Sequence, residues 1–343
     1  MKPSPVQSDE TTSVGVLINE FETIAPGQTT VAMLRELARR RIDTWVFGVG
    51  DLELDARGRV LARARRVTAG RPERVVVALR AAKPEPIIVD ELAAVVVRTN
   101  PPRDRREGLH TLALQLLRFA RERGVLVLND PDGLALAASK LFLGMLPPET
   151  RPRTIACADA ETLRQFVRDA PGPTVLKPAL GTQGRGVYRV SASDPNLNQI
   201  IESLVERGSV IAQDFVPAAT RGDTRVILVD GELLRVGSSA AAVQRVPQGA
   251  DFRSNVHVGG VPQLGVITPG VERVTAAVGP LLARHGLFMV GLDLIGDVVC
   301  ELNVFSPGGL PDLERFTGKP FTRVLVDRLL AKIPCGEQLR AAV

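Results

Sequence analysis

The chain of 343 residues has little cysteine, few aromatic rings and no long apolar segment. Its three cysteines, Cys157, Cys300 and Cys335, show no CxxC spacing, which argues against a structural zinc site and favours a reducing compartment. Arginine clusters such as residues 39–41 lack the interleaved aromatic residues of a platform for single-stranded nucleic acid. The first twelve residues are polar, and no apolar run is long enough to cross a bilayer. These absences predict a cytoplasmic protein that binds neither nucleic acid nor membranes.

The chain also lacks the short motifs of several enzyme classes. It contains no GxSxG elbow, so nucleophilic serine chemistry has no support. No glycine-rich loop ends in GK[ST], which excludes a Walker-type phosphate loop. The histidines, His110, His257 and His285, are isolated from one another, and none is assigned to catalysis. The net charge of +5, from 43 basic and 38 acidic side chains, suits small anionic substrates.

The most informative segment, residues 289–307, reads as two apolar strands joined by Gly296-Asp297, a dipeptide that favours a tight hairpin turn. Glu301 and Asn303 are two residues apart and project from one face, where Asp293 can sit opposite them. Two carboxylates and an amide oxygen suit Mg²⁺ held together with phosphate oxygens. Burial of two carboxylates without a cation would be expensive. The alternative is a solvated strand face with ordinary acids.

A second informative segment, residues 174–188, reads as a strand, a glycine-rich loop and another strand. The glycines of the loop, residues 181–186, are spaced so that backbone N–H groups can turn toward phosphate oxygens. A strand rather than a helix follows, so the loop is not a dinucleotide fingerprint. Lys177 lies at the strand end just before the loop, where its ammonium group can contact nucleotide phosphates. A flexible hairpin loop is the alternative, and Lys177 favours the nucleotide interpretation.

Two further candidates are weak when each is taken alone. Lys140 follows Ser139 in a helical stretch, and most lysines are simply solvated. Gln213-Asp214-Phe215 ends a predicted strand, where it can present groups to a purine edge or serve as a plain connector.

Charged residues further along the chain are candidates for an anionic substrate. Asp223-Thr224-Arg225 alternates an acid and a base on one strand face, which fits an anionic substrate and a surface ion pair about equally. Residues 240–260 carry Arg245, Arg253 and Asn255 and little that can pack, so we expect a mobile loop. Either these residues close over an anionic substrate, or they serve only to keep the loop soluble.

The order of predicted elements indicates an α/β and α+β architecture. A βαβ start predicts an open α/β sheet, and Thr29 or Thr30 can cap the first helix. Residues 98–102 end a strand at the edge where such sheets bind ligands. The predicted strands are 14–18, 44–48, 71–79, 93–98, 125–129, 154–157, 174–177, 187–190, 210–215, 224–229, 232–236, 289–295 and 298–304, with a hairpin over 52–67. The predicted helices are 30–40, 107–123, 160–169, 195–207, 269–285 and 321–332, with a helical stretch at 139–142.

Taken in order, these pieces resemble the ATP-grasp ligases, and within them the bacterial glutathione synthetases. The resemblance covers nearly the whole chain, and the ordered set is specific although several of its members are individually weak. It implies an ATP-grasp fold with an N-terminal open α/β (pre-ATP-grasp) domain over 1–135, a lid subdomain with the glycine-rich loop over 136–216, and a catalytic subdomain with the metal site over 217–343. The matching segments are Arg98…Pro101-Pro102, Lys140-Leu141-Phe142, Leu176-Lys177-Pro178, Gly222-Asp223-Thr224-Arg225-Val226, Arg245-Val246-Pro247-Gln248-Gly249, Arg253-Ser254-Asn255 with Gly259-Gly260, residues 290–296, and Glu301-Leu302-Asn303-Val304 with Ser306-Pro307.

The resemblance implies an ATP-dependent carboxylate–amine ligase, with glutathione synthesis from γ-glutamylcysteine and glycine as the leading reaction. ATP would phosphorylate a peptide carboxylate, and an amine would then attack the acyl phosphate and release phosphate. The implied cofactors are ATP and Mg²⁺, or Mn²⁺ in its place. The implied partners are peptide and amino-acid substrates, and family relatives are often homo-oligomers.

Site roles follow from the same resemblance. Phosphoryl transfer needs positioning and charge neutralisation more than a protein nucleophile, and metal, lysine and arginine supply both. The implied catalytic residues are Arg225, Arg245 and Asn255, and the implied metal ligands are Asp293, Glu301 and Asn303. The implied cofactor-binding residues are Lys140, Lys177, Gly181, Gln183, Gly184, Gly186, Gln213, Asp214, Phe215 and Asp223. The implied substrate-binding residues are Arg98, Arg225, Arg245, Ser306, Gly308 and Gly309.

Two segments depart from the pattern of bacterial glutathione synthetases. Thr99-Asn100 stands where that family usually has a Lys-Asp pair, and residues 305–310 replace its usual Thr-Ser-Pro-Thr with added glycines, somewhat like the acceptor end of D-alanine ligases. The nucleotide and metal half therefore matches the family, while the acceptor half differs. The alternative is a sibling amide ligase for another γ-glutamyl or amino-acid-like acid and another small amine. An interpretation of a different class is a nucleotide-binding module without catalysis. Such a module is expected to lack metal ligands, whereas Asp293, Glu301 and Asn303 are all present in the sequence.

Overall fold

The structure is a computed structural model that describes residues 12–180, 186–246 and 261–334. The described residues divide into two compact units, the first within residues 12–99, 108–127 and 326–334 and the second within residues 100–107 and 128–325. Within the described ranges, no helix has both the length and the apolar character needed to cross a membrane. The predicted domain boundaries after residues 135 and 216 stay a prediction.

The first unit alternates strands and helices. Short 3-10 turns lie at Phe21–Thr23 and Val89–Glu91. Its elements in chain order are β1 (Ser13–Ile18), α1 (Thr29–Arg39), β2 (Asp43–Gly48), β3 (Leu52–Leu54), β4 (Val60–Arg66), α2 (Pro72–Ala81), β5 (Glu85–Ile88), β6 (Ala94–Val97), α3 (Glu107–Glu122) and β7 (Leu126–Leu128).

A seven-stranded sheet forms the centre of this unit, in the order β3-β4-β2-β1-β6-β7, with β5 beside β4. β1 pairs in parallel with both β2 and β6, and Val14–Ile18 of β1 is buried throughout. A parallel strand covered on both faces reads as a continuous apolar run, as this one does. The predicted βαβ start, open α/β sheet and hairpin over 52–67 are confirmed.

Two predictions in this unit are wrong. Residues 71–79 are not a strand, because helix α2 covers them, with Pro72 in its first turn and Val75, Val76 and Leu79 buried. Proline favours the first helical turn because its missing N–H would be unpaired there in any case. The proposed threonine caps also fail, since Gln28 holds the N-cap position of α1 without a side-chain bond.

The described part of the second unit contains three antiparallel sheets, of four, six and two strands, and the two-stranded sheet is formed by residues 235–236 and 239–240. It has 3-10 turns at Pro101–Arg103, Lys140–Met145, Pro148–Thr150 and Pro217–Arg221. Its elements in chain order are α4 (Pro131–Ala137), β8 (Thr154–Cys157), α5 (Ala160–Arg168), β9 (Thr174–Pro178), β10 (Tyr188–Val190), α6 (Leu197–Val205), β11 (Val210–Asp214), β12 (Asp223–Val229), β13 (Glu232–Leu233), β14 (Arg235–Val236), β15 (Ser239–Ala240), β16 (Ala242–Val246), β17 (Val261–Leu264), α7 (Pro269–Arg284), β18 (Met289–Ile295), β19 (Val298–Asn303), α8 (Leu310–Thr317) and α9 (Phe321–Lys332), the last of which continues into the first unit.

The four-stranded sheet has the order β10-β9-β11-β8, and one of its faces is packed against helices. Alternation along the strands places Lys177 and Gln213 on the opposite face from this core. The chain thereby separates an apolar core face from a polar face. The core combines residues of α5, α6 and the strands, namely Leu163, Phe166, Val167, Leu176, Val190, Leu197, Ile201, Leu204, Val210 and Ala212.

The six-stranded sheet has the order β17-β16-β12-β18-β19, with β13 beside β12. The predicted hairpin is confirmed as β18 and β19, and Gly296 in its turn has a φ of +59°, a conformation that glycine adopts without strain. The loop predicted from residue 240 begins too early, because 242–246 form a strand that pairs with β12 and β17. Its remaining part, residues 247–260, lies outside the described residues. The helical stretch at 139–142 is a 3-10 turn.

Candidate active site

Charged side chains line one face of the six-stranded sheet. Asp223 on β12 lies directly opposite Arg245 on β16, and Arg225 lies directly opposite Asp293 on β18. Asp293 in turn lies opposite Glu301 on β19. Directly opposed residues of antiparallel strands share a face, and so do residues two apart on one strand. The pairing of four strands therefore gathers two arginines and three acids from separate parts of the sequence.

Asp293 is held by both arginines. Its Oδ1 accepts from Arg225 Nε at 2.7 Å, and its Oδ2 accepts from Arg225 Nη2 at 2.7 Å. Arg245 Nη2 also lies 2.7 Å from Asp293 Oδ2. Burial of Asp293, which is 2% exposed, would raise its pKa, but the two guanidinium groups outweigh burial and lower the pKa to about 2. The carboxylate is ionised across the working pH range.

Glu301 differs from Asp293, because the arginines do not offset the effect of burial on its pKa. Burial raises the pKa of Glu301, the Asp293 carboxylate raises it further, and Lys140, Lys177 and Arg225 act in the opposite direction. Among the described residues, no side chain lies within hydrogen-bond distance of its carboxylate. Its unfavourable environment is the kind that a bound cation relieves.

The oxygen atoms of this region fit a hard cation. Asn303 Nδ2 donates to Asp293 Oδ2 at 3.2 Å, which leaves the amide oxygen of Asn303 as a candidate ligand beside Glu301. Carboxylate and amide oxygens are what Mg²⁺ prefers, with phosphate oxygens and water completing its shell. The described residues contain no cluster of three or more His, Cys, Asp or Glu side chains that could hold a metal by themselves. A cation here would therefore depend on oxygens from a ligand as well.

A β-bulge lies beside these acids. The register shifts between Asp293 and Leu294, so that Cys300 is the extra residue on β19. The carbonyl of Cys300 accepts from Lys177 Nζ at 3.5 Å. Burial raises the pKa of the Cys300 thiol to about 12, so this thiol stays protonated. The bulge links the acidic hairpin to the lysine of the four-stranded sheet.

Lys177 and Lys140 supply positive charge next to Glu301. Lys177 is buried, and its Nζ donates to Gln213 Oε1 at 3.1 Å. Burial lowers the pKa of Lys177. It lowers the pKa of Lys140 as well, with Glu301 opposing and Lys177 adding to the shift. Two lysines that are costly to bury, and that repel each other, are poised for an anion such as a phosphate chain.

The residues predicted to hold the nucleotide have defined partners. Gln213 also donates from Nε2 to Thr154 Oγ1 at 3.0 Å. Asp214 accepts two bonds of 3.1 Å from Arg153, whose guanidinium also lies 4.1 Å from the centre of the Phe166 ring. The guanidinium of Arg189 lies 4.2 Å from the centre of the Phe215 ring. The sequence had not singled out Arg153, Arg189 or Thr154.

Part of the glycine-rich loop can be placed. Gly181, Gln183 and Gly184 lie outside the described residues. Gly186 has a φ of +66°, in the left-handed region that favours glycine. It ends the loop where β10 begins, as the sequence predicted.

The loop after β19 carries the predicted acceptor residues. Ser306 and Gly308 lie in it, and Gly309 has a φ of +111° at the N-terminus of α8. Helix α8 had not been predicted, and Leu310 and Leu313 are its buried residues. The loop passes close to β18, where a Cβ on Gly291 would lie 3.1 Å from Pro307 Cβ.

Asn129 ties both strands of the acidic hairpin together. Its Nδ2 donates to the carbonyls of Met289, at 2.9 Å, and Val304, at 2.6 Å. Its Oδ1 accepts from the Met289 N–H at 2.7 Å. This buried side chain fixes the start of β18 relative to the beginning of the acceptor loop. The sequence offered no signal for this role, because Asn129 reads as an ordinary strand-end residue.

Two predicted site residues, Arg98 and Asn255, are not part of the described portion of the second unit. Arg98 lies in the first unit at the end of β6, where its Nε donates to Thr30 Oγ1 at 3.2 Å. Burial lowers the pKa of Arg98 to about 10. Asn255, together with Arg253, lies outside the described residues. The described site thus joins Lys140, Lys177, Gln213, Asp223, Arg225, Arg245, Asp293, Glu301 and Asn303 within the second unit.

The amino-acid sequence matches two family models over most of its length. Residues 12–135 match the N-terminal domain of prokaryotic glutathione synthetase, and residues 139–318 match its ATP-grasp domain. The glutathione synthetase of Prochlorococcus marinus (strain MIT 9313) is 32% identical over 324 residues, which cover 92% of this chain and 98% of that protein. The glutathione synthetase of Vibrio parahaemolyticus serotype O3:K6 is 31% identical over 323 residues, which cover 93% of this chain and 98% of that protein.

Solved structures with a similar fold have more distant sequences. The D-cycloserine synthetase DcsG superposes with a TM-score of 0.63 at 16% identity, over 94% of this chain and 100% of that one. The ATP-grasp ligase PsnB, complexed with a minimal precursor, superposes with a TM-score of 0.60 at 21% identity, over 93% of this chain and 99% of that one. These similarities concern the fold. The chain has the ATP-grasp fold and belongs to the prokaryotic glutathione synthetase family.

Proposed function

We propose that the protein is an ATP-dependent carbon–nitrogen ligase that joins γ-glutamylcysteine to glycine, with glutathione, ADP and phosphate as products. Membership of the family supports the reaction, and the charge arrangement of the six-stranded sheet supports the chemistry. The observation that carries the proposal is a row of five charged side chains next to two lysines. Asp223, Arg245, Asp293 and Lys177 are buried, and Arg225, Glu301 and Lys140 are half-buried. Such a row is costly for a fold and suited to phosphoryl transfer.

The nucleotide would bind along Lys140, Lys177 and residues 213–215. The two lysines neutralise the phosphate chain, and phosphate in turn stabilises ammonium groups whose pKa burial lowers. Asp293, Glu301 and Asn303 would hold Mg²⁺, or Mn²⁺ in its place. A bound divalent cation supplies charge neutralisation at the transferring phosphoryl group.

Arg225 and Arg245 would act on the acid substrate. The γ-phosphoryl group of ATP passes to the cysteine carboxylate of γ-glutamylcysteine, which is the group that glycine will join. This step forms an acyl phosphate and releases ADP. The glycine amine then attacks the acyl carbon, and phosphate leaves as the carbon–nitrogen bond forms. Negative charge develops on the phosphoryl and carbonyl oxygens in both steps, and guanidinium groups fixed in place stabilise it. The described geometry requires no protein nucleophile.

The predicted setting of the enzyme also belongs to this proposal. A substrate with a free thiol requires a reducing compartment, which agrees with the low cysteine content and with a cytoplasmic location. A homo-oligomer is predicted from the family resemblance, and sedimentation velocity at several protein concentrations tests it.

A second candidate is a sibling amide ligase with a different acid or amine. It is favoured by Thr99-Asn100, which replaces a charged pair, and by the glycines of residues 305–310. Exchange of Thr99-Asn100 for Lys-Asp should raise turnover of γ-glutamylcysteine several-fold if this loop recognises the peptide. An unchanged kcat/KM would place the substrate preference elsewhere.

The deciding experiment measures phosphate release from Mg-ATP with γ-glutamylcysteine, with and without glycine, followed by mass analysis of the product. Release that requires both substrates, with a product heavier by one glycine residue, supports glutathione synthesis. Release only with other acid and amine pairs favours the sibling ligase. No release with any pair would contradict the ligase proposal.

A further inference from the structure

Three strands of the four-stranded sheet place an ammonium, an amide and a hydroxyl group in a row on its polar face. On β11, Gln213 lies directly opposite Thr154 of β8 on one side and Val175 of β9 on the other. Lys177 is two residues beyond Val175, so it shares the face of Gln213. Diagonal neighbours on adjacent strands are within reach of long side chains. The pairing of β8, β9 and β11 therefore brings Thr154, Gln213 and Lys177 together.

The three side chains form hydrogen bonds that all run in one direction. Lys177 Nζ donates to Gln213 Oε1 at 3.1 Å, and Gln213 Nε2 donates to Thr154 Oγ1 at 3.0 Å. The Thr154 hydroxyl donates its only proton to the Pro152 carbonyl at 2.8 Å. A reversed Gln213 amide would turn its NH2 group toward the ammonium and its oxygen toward a hydroxyl with no proton left to give. Thr154 therefore helps to hold the amide oxygen of Gln213 toward Lys177.

This row of side chains is not needed to hold the strands together. The antiparallel backbone ladder already joins β11 to β8 and to β9. Lys177 and Gln213 are 8% and 4% exposed, and a buried ammonium is costly unless acceptors lie close to it. Among the described residues, the other acceptor for Lys177 is the carbonyl of Cys300, at the long distance of 3.5 Å. The amide oxygen of Gln213 is therefore the contact that places the ammonium.

We propose that Thr154 is a positioning residue for nucleotide binding, which acts on Lys177 through the amide of Gln213. The proposal rests on the function proposed above and deepens it, because it adds a residue that orients the phosphate-binding lysine. Thr154 fixes the orientation of the amide, and the amide oxygen fixes the place of the ammonium. A charge that is already in place binds an anion without the cost of ordering a long side chain.

The test replaces the Thr154 hydroxyl with a methyl group of similar size. Thr154→Val removes the acceptor for Gln213, whereas Thr154→Ser keeps it. Titration calorimetry with Mg²⁺ and a non-hydrolysable ATP analogue should show an affinity about 3- to 10-fold lower for Thr154→Val, the range for loss of one neutral hydrogen bond. Thr154→Ser should bind like the wild type. Wild-type affinity in Thr154→Val, or equal losses in both variants, would overturn the proposal.

A double-mutant cycle with Lys177→Met shows whether Thr154 acts through the lysine. Without an ammonium to orient, Thr154→Val should change the nucleotide affinity of the Lys177→Met protein by less than about twofold, because residues that act through each other are not additive. If Thr154→Val caused its full loss of affinity in the Lys177→Met background, Thr154 would act by another route and the proposal would fail.

Thr174→Val is the matched control on the same sheet. Thr174 lies on β9, is 0% exposed and is two residues from Leu176 of the core. Within the described parts of the chain, its Oγ1 has no hydrogen-bond partner. The same exchange of hydroxyl for methyl should therefore leave nucleotide affinity unchanged. A loss as large as that of Thr154→Val would show that any such exchange disturbs the sheet, and it would count against the proposal.

A second variant breaks the same link at its centre. Gln213→Met keeps the length of the side chain and removes both the acceptor for Lys177 and the donor to Thr154. It should lose at least as much nucleotide affinity as Thr154→Val, and Thr154→Val should add less than about twofold to that loss. Wild-type affinity in Gln213→Met would overturn the proposal even if Thr154→Val does not fold.

Binding and turnover separate this role from the proposed function. In the active enzyme, Thr154→Val should raise the KM for ATP and leave the KM values for γ-glutamylcysteine and glycine within about twofold. If the wild type releases no phosphate with these substrates, the proposed function fails, and calorimetry still decides the role of Thr154. Phosphate release by the wild type together with equal nucleotide affinities in wild type and Thr154→Val would overturn the positioning role alone. A wild type that binds no ATP analogue would overturn both.

Discussion

Two clusters in this protein each place one carboxylate between two arginines, yet they differ in nearly every other respect. In the helix cluster, Glu36 on α1 binds Arg39 and Arg40, three and four residues further on. In the sheet cluster, Asp293 binds Arg225 and Arg245, and Asp223 binds Arg245. The clusters share one half-buried arginine each, Arg40 and Arg225, and they differ in the other arginine and in the acid. The side chains of Arg39 and Glu36 are 61% and 13% exposed, whereas those of Arg245 and Asp293 are 7% and 3% exposed.

The difference shows how to tell a supporting ion pair from a functional one. Exposed pairs on a helix gain little, because water screens them and long side chains lose freedom. A buried pair costs desolvation, so its presence calls for a role beyond stability. In the sheet cluster, the two arginines overcome the effect of burial and lower the pKa of Asp293 to about 2, while burial and Asp293 raise the pKa of the neighbouring Glu301. In the helix cluster, the pKa of Glu36 is lowered to about 2, first by its bond to Arg39. Opposed shifts on neighbouring groups mark functional sites.

The largest effects are expected from the two acids of the hairpin. Asp293→Asn and Glu301→Gln should each reduce turnover by about three orders of magnitude or more, because each removes a proposed cation ligand. Their effects on the free energy of unfolding should differ. Asp293→Asn leaves Arg225 and Arg245 short of a buried partner and should lower the free energy of unfolding by several kcal/mol, in the range of about 3–5 kcal/mol for broken buried pairs.

Glu301→Gln should leave stability unchanged or raise it. Above the raised pKa of Glu301, folding keeps ionised a carboxylate that burial disfavours, and glutamine removes that charge. Urea unfolding at pH 7 compares the two variants, with phosphate release as the activity assay. A stable Asp293→Asn protein, or turnover retained in both variants, would remove the distinction between the two acids.

Lys177→Met should have the next largest effect. Methionine keeps much of the volume in a buried site and removes the positive charge that acts on Glu301 and that is proposed to bind the phosphates. We expect nucleotide affinity and turnover to fall together, by about 10- to 100-fold, as for loss of a charged hydrogen-bond partner. Titration calorimetry with an ATP analogue and single-turnover kinetics measure the two effects. Unchanged nucleotide affinity would contradict the phosphate role of Lys177.

Much of this site could be predicted because its signals are local. The hairpin of β18 and β19 is marked by alternation and by Gly296-Asp297, so the shared face of Glu301 and Asn303 follows from period two. Lys177 is marked by its place before the glycines. The helix cluster could be read in the same way, since its pairs span three and four residues.

Other features depend on pairings that the sequence does not encode locally. Arg245 was expected in a loop, because the strand over 242–246 is short and its partner β12 lies about 20 residues earlier in the chain. The contacts of Asn129 with Met289 and Val304 span more than 150 residues. Helix α2 was mistaken for a strand because its run of three valines favours β-structure, and the tertiary packing of Val75, Val76 and Leu79 overrides that propensity.

The smallest effect is expected at the helix cluster. Glu36→Gln should leave turnover unchanged and lower the free energy of unfolding at pH 7 by at most about 1 kcal/mol, because Arg39 is exposed and water screens its pairing with Glu36. The pKa of Glu36 falls from 4.5 to about 2 on folding, so its stabilising contribution is complete above pH 4.5 and is lost as the pH falls toward 2. Urea unfolding of wild type and variant at pH 7 and near pH 3 should show the gap narrowing with acid. A gap in the free energy of unfolding that stays constant between the two pH values would mean that the charge of Glu36 does not cause it. A loss of turnover would mean that burial does not separate the two clusters.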